Sequence, residues 1–163
     1  MSNNAPSCLP EATSTAASLA PTPANLSYSF GFPGGAYCLP LARTVVERLL
    51  SDHGLADMAE LGTLATSELL ANAYQFTPGR EVSLSVRYRY GVLRLTVFDE
   101  HPDHPRGTDK ACRARRRRAL STLDTVVSAC GGICGLDDAG APLAGSKLWV
   151  VLSREAAKGY GQL

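Results

Sequence analysis

Between Val82 and Phe98 the chain alternates apolar and polar side chains with a period of two, interrupted once, at Gly91. Val82, Leu84, Val86, Tyr88 and Tyr90 alternate with Ser83, Ser85, Arg87 and Arg89; Leu93, Leu95 and Val97 follow, spaced by Arg94 and Thr96. Successive strand side chains point to opposite faces, so the pattern predicts two antiparallel strands joined by a tight turn. One face of the sheet would be apolar and the other polar, which calls for helices on one side only.

The flanking segments supply such a layer. LSYSFGF alternates Leu26, Tyr28 and Phe30 with serines, a further strand, broken by Pro33-Gly34-Gly35. Leu41, Val45, Leu49 and Leu50 form a helical stripe between Leu39 and His53, with Gly54 as its stop. A second helix is expected from Asp57, a good N-cap, to about Gln75. The polar stretch from Glu100 to about Arg118 holds Pro102, Pro105 and Gly107 and reads as a long connection. A helix over Ala119–Ala129, a short strand near Ile133–Leu136 and a last strand over Lys147–Ser153 complete the order. The fold class is therefore α+β: a two-layer α/β sandwich, mostly antiparallel sheet with helices on one face. Residues 1–24, rich in Ser, Thr, Ala and Pro, read as a disordered tail. The domain spans 25–154, and 155–163 reads as a flexible C-terminal end.

The 163 residues suffice for one domain with its own core, and the net charge of +1 gives no bulk attraction to nucleic acid or an anionic membrane. No stretch approaches the roughly 20 apolar residues of a membrane span, and the N-terminus lacks the pattern of a signal peptide. A cytoplasmic protein is expected. Five cysteines at irregular spacing read as reduced, structural thiols rather than a disulfide framework. His53, His101 and His104 show no metal-ligand spacing with acids or thiols.

Two places break the apolar pattern. At 3.6 residues per turn, Leu61, Ala65, Glu68 and Asn72 fall within roughly 60° of one another, placing a carboxylate and an amide inside an apolar stripe. Buried unpaired, such groups would cost several kcal/mol. Asp99 shares the parity of Leu93, Leu95 and Val97, so it faces the covered side at its strand's end. Glu68, Asn72 and Asp99 thus outline one pocket between helices and sheet.

These residues carry a resemblance. ATSELLANAYQFTPG resembles the N-box of the ATP-binding anti-sigma regulators, serine/threonine kinase-like members of the GHKL (histidine kinase-like) ATPase superfamily. VFDEHPDHP is similar to the segment where that family's strand ends in Asp, ALSTLDTVVSACGG to the helix after its lid, and Gly145-Ser146-Lys147-Leu148-Trp149 to its last strand. The four segments occur in order over about residues 26–153. The resemblance implies the Bergerat type of sandwich, with ATP and Mg²⁺ as cofactors. Asn72 would ligate Mg²⁺, Glu68 would serve as general base, and Asp99 would accept from the adenine amino group. Arg117, Arg118 and Ala119 would stand at the lid over the phosphates, and Lys147 beside the nucleotide on the last strand. The implied partners are a sigma factor or an anti-anti-sigma protein, and the family allows a homodimer.

The lid departs from the family. Arg117 and Ala119 stand where paired glycines usually bring backbone amides to the phosphates, and five arginines crowd positions 113–118. That run reads as an arginine lid, as a contact for an acidic protein or nucleic acid, or as a solvated loop. Three functions follow: an ATP-binding regulator, with or without weak serine/threonine kinase activity; a catalytically inactive module of the same fold; and, against the neutral charge, a nucleic-acid binder.

Overall fold

The computed structural model describes residues 20–102, 104, 108–140 and 144–162. The readings of residues 1–19, Asp103, Pro105, Gly107 and Leu163 lie outside the described residues. In chain order the elements are β1 (Ser27–Phe32), α1 (Cys38–Asp52), α2 (Ala59–Phe76), β2 (Val82–Arg89), β3 (Val92–Asp99), α3 (Asp109–Ala119), α4 (Ser121–Ala129), β4 (Ile133–Asp138), β5 (Ser146–Ser153) and α5 (Arg154–Tyr160). The strands form one antiparallel sheet in the order β1-β2-β3-β5-β4.

The hairpin follows its alternation. Arg89 pairs with Val92 across the two-residue turn Tyr90-Gly91, both at positive φ (54° and 81°). That is the turn geometry whose twist matches the strands it joins. Val82, Leu84, Val86, Leu93, Leu95, Val97, Leu148, Val150 and Leu152 are all buried on one sheet face. Against them pack Leu61, Ala65 and Leu69 of α2, Leu123 and Val127 of α4, and Ala156 of α5. Burying each such Leu or Val stabilises the fold by about 1.5–3 kcal/mol. The other face carries Ser83, Ser85, Arg94 and Trp149, where the Arg94 guanidinium lies 5.7 Å from the indole centroid. The α+β class and the helix-covered antiparallel sheet thus stand as expected. Among the described residues no helix is long and apolar enough to cross a membrane.

Several local expectations are corrected. In α1 the buried stripe is Cys38, Ala42, Val46 and Leu50, one position on from the expected one, and Leu41 is exposed. The α2 helix starts two residues late, after a 3-10 turn at Ala56–Met58; Asp57 binds Arg154 instead of capping it. The connection from Glu100 to Arg118 is not structureless: α3 occupies Asp109–Ala119. Ala and Arg are strong helix formers, and Asp109 in the first turn with Arg116–Arg118 in the last complement the helix dipole. Residues 20–24, read as tail, are tied down: Asn25 bonds Ala20 and Thr22, while the Thr22 and Ala24 carbonyls bond His53 and Arg89. At the other end α5 occupies Arg154–Tyr160, capped by the Ser153 hydroxyl and anchored by buried Ala156 and Ala157.

Candidate functional site

The site is assembled where the end of β3, the start of β5 and the C-terminal half of α2 meet. Ladder register sets Asp99 opposite Val82 on one side and Ser146 on the other. Its parity turns the carboxylate to the helix-covered face, where it is fully buried. Asn72, on the sheet-facing side of α2, is also buried.

Arg116 of α3 fills the space between them. Its side chain is only 2% exposed. The guanidinium grips Asp99 in a fork, Nη2 donating to Oδ2 at 2.5 Å and Nη1 to Oδ1 at 3.4 Å. Nη1 also donates to Ser146 Oγ at 3.0 Å, and Nε to Asn72 Oδ1 at 3.1 Å. The Asn72 amide donates back to the Arg116 carbonyl at 2.9 Å, so one asparagine holds both the backbone and the side chain of the arginine. The guanidinium carbon lies 5.5 Å from the Phe76 ring centroid, a cation–π contact. A bidentate, charge-assisted pair of this kind is among the stronger polar contacts available to a protein, and Nε and the second Nη1–H reach neutral oxygens.

The residues singled out in the sequence fare differently. Asn72 and Asp99 are brought together through Arg116. Glu68 is half-buried one turn before Asn72, and among the described residues its carboxylate has no hydrogen bond or ion pair. Arg117, Arg118 and Ala119 are exposed; Arg117 reaches only the Leu136 carbonyl, at 3.4 Å. Lys147 sits between Phe98 and Asp137 in the ladder, with the parity opposite to Ser146, so it points to the open face of the sheet.

Sequence reading missed Arg116, although a signal existed. Cys112, Arg116, Leu120 and Leu123 follow helical spacing into the apolar stripe of α4, with Arg116 at a core position. A charged residue there conceals the pattern.

A second cluster borders the same space. His101 Nε2 lies 2.9 Å from His104 Nε2 and 3.3 Å from Cys112 Sγ. Its Nδ1 lies 3.1 Å from the Phe76 carbonyl and 3.4 Å from Thr77 Oγ1. Burial, and after it the Arg116 charge, hold the His101 imidazolium below its ordinary pKa. The sequence spacing concealed this trio because Cys112 joins it only once α3 folds back toward the end of β3. Arg116 and Ser146 of the first cluster and all three residues of the second line one cavity of about 610 Å³, bounded also by Leu136 and Gly145. Arg113, at its rim, pairs with Asp138, which keeps that carboxyl below its ordinary value.

Elsewhere, Phe30, Phe32, Tyr37, Leu41 and Val45 line an apolar groove between β1 and α1, with Tyr37 and Leu41 exposed. No protein-family model matches the chain, and none of the curated proteins compared with it is similar in sequence.

Proposed function

We propose that the chain is a regulator of the anti-sigma type, on a GHKL-like scaffold, that acts by protein contact and not by phosphotransfer. The observation that carries this reading is the position of Arg116. In the family that the N-box resembles, Asp99 would receive adenine and Asn72 a Mg²⁺ ion. Here the Asp99 carboxylate is engaged by the guanidinium, and Asn72 Oδ1 already accepts from Nε. A Mg²⁺ ion at Asn72 would need that same oxygen and would stand beside a buried positive charge. The residues present therefore do not fit Mg–ATP.

Displacing Arg116 would break a buried ion pair, a cost of about 3–5 kcal/mol. Since each 1.4 kcal/mol is tenfold, nucleotide affinity would fall by a factor of about 100 to 1,000 or more. Among the described residues Glu68 has no partner to orient it as a base. The groove between β1 and α1, with its exposed Tyr37 and Leu41, supplies apolar surface of the kind used in protein contacts. Its occupant under this reading is an anti-anti-sigma protein or a sigma factor.

The test is a phosphotransfer assay with labelled ATP and an anti-anti-sigma protein as acceptor, run on the native chain and on Glu68→Gln. The reading expects no transfer above background in either. Transfer by the native chain that disappears in Glu68→Gln would make the protein a working kinase and refute it.

A further inference from the structure

His101, His104 and Cys112 come from two elements separated in sequence, yet their donor atoms all lie within 4.8 Å of one another. We propose that this trio is a binding site for a borderline-soft divalent cation, zinc(II) foremost, held by two imidazole Nε2 atoms and one thiolate. The inference is independent of the functional reading above.

Three observations support it. The first is donor spacing. Zinc bonds of about 2.0–2.1 Å to nitrogen and about 2.3 Å to sulfur, set tetrahedrally, separate donors by roughly 3.3–3.7 Å. The observed 2.9 Å and 3.3 Å separations need an opening of only a few tenths of an ångström, and the third pair, His104 and Cys112, lies within 4.8 Å. The second is the orientation of His101. The Phe76 carbonyl facing Nδ1 can only accept, so Nδ1 carries the proton and Nε2 presents its lone pair to the cluster. A carbonyl accepting from the far ring nitrogen fixes the tautomer of metal-bound imidazoles. The third is access. All three side chains are half-buried at the edge of the cavity of about 610 Å³, so a cation can enter and keep one position open to it.

Two imidazoles and a thiolate suit zinc, with three protein ligands and an open fourth position. The same donors serve copper when an axial thioether lies close, but Met58, the described methionine, is in the core away from this cavity. The consequence for the fold is local. Cys112 and Arg116 are one turn apart on α3, so a cation joining Cys112 to His101 and His104 would pin the turn that carries Arg116.

The full chain, stripped with a chelator and kept reduced, is titrated with cobalt(II) alone and then with zinc(II) alone. One equivalent of cobalt should bind with a thiolate-to-cobalt charge-transfer band, and one equivalent of zinc should remove it. Cys112→Ser should abolish the band. It should also weaken zinc binding by at least about 100-fold, since losing even a group that only hydrogen-bonds a ligand costs on the order of 10–100-fold. His104→Gln, which spares the His101–Phe76 bond, should weaken zinc binding similarly while the circular dichroism stays native. The triple variant Cys8→Ser/Cys130→Ser/Cys134→Ser should keep the band. A band that survives in Cys112→Ser, zinc affinity unchanged in both single variants, or a site that takes copper and refuses zinc would each overturn the proposal.

Discussion

Replacing Arg116 with methionine should destabilise the domain by about 3–5 kcal/mol, the range for removing one partner of a buried ion pair. The magnitude follows from what remains behind. Asp99 is 0% exposed, and among the described residues its carboxylate bonds only to Arg116. Without the guanidinium a buried carboxylate has no compensating charge, Ser146 Oγ loses its donor, and Asn72 Oδ1 loses the Nε bond. Methionine retains most of the volume, so little of the loss comes from a cavity. The cost lies in the orphaned charge, so removing the charge should relieve it. The double variant Arg116→Met/Asp99→Leu should therefore recover more than half of the loss, as when a buried ion pair gives way to apolar residues. Urea unfolding followed by circular dichroism and by the single tryptophan, Trp149, measures all the variants. A single variant within about 1 kcal/mol of the native chain, or a double variant no more stable than the single, would show that Arg116 does not hold Asp99 in the folded protein.

Among the described residues Tyr74 Oη is buried without a hydrogen-bond partner, and burial raises its phenol to about 12. Tyr74→Phe should stabilise the domain by about 1 kcal/mol, because an unsatisfied hydroxyl is removed; a loss of that size in urea unfolding would contradict this. Gly145 has φ of +133°, and a Cβ there would sit 2.1 Å from the Asp99 carbonyl oxygen. Gly145→Ala should cost more than about 2 kcal/mol, and a native thermal midpoint would contradict the placement of that turn. The Arg154 guanidinium holds Asp57 below its ordinary pKa. A depressed carboxyl stabilises the fold above its unfolded pKa of about 3.9 and loses that contribution as pH falls through its folded value. Asp57→Asn should thus give a small, salt-sensitive loss at pH 7 that vanishes in acid, and a loss independent of pH would exclude the ion pair as its cause.

The sheet was legible because its signal is periodic and its residues obey their burial. Val82–Phe98 alternates cleanly, and each apolar position of the hairpin from Val82 to Val86 and from Leu93 to Val97 lies on the core face. The inward-facing Asp99 and Asn72 were legible for the same reason, as polar residues where the period demands apolar ones. What joins them was not. Arg116 sits at a core position inside a run of five arginines, where charge alone suggests solvent, so α3 read as a polar connection. The histidine–cysteine cluster was hidden because sequence spacing cannot show that Cys112, eleven residues from His101, returns to it on a helix. The α1 stripe was misplaced by one residue: Leu41 and Ala42 are both apolar, and packing against α2, not periodicity, decides which is buried.

Arg116 occupies the place a nucleotide would need. Calorimetric titration of the full native chain with Mg–ATP, carried to millimolar nucleotide, tests this directly. No saturable heat is expected. Saturable one-to-one binding at submillimolar nucleotide, dependent on Mg²⁺ and lost in Asn72→Ala, would contradict that placement.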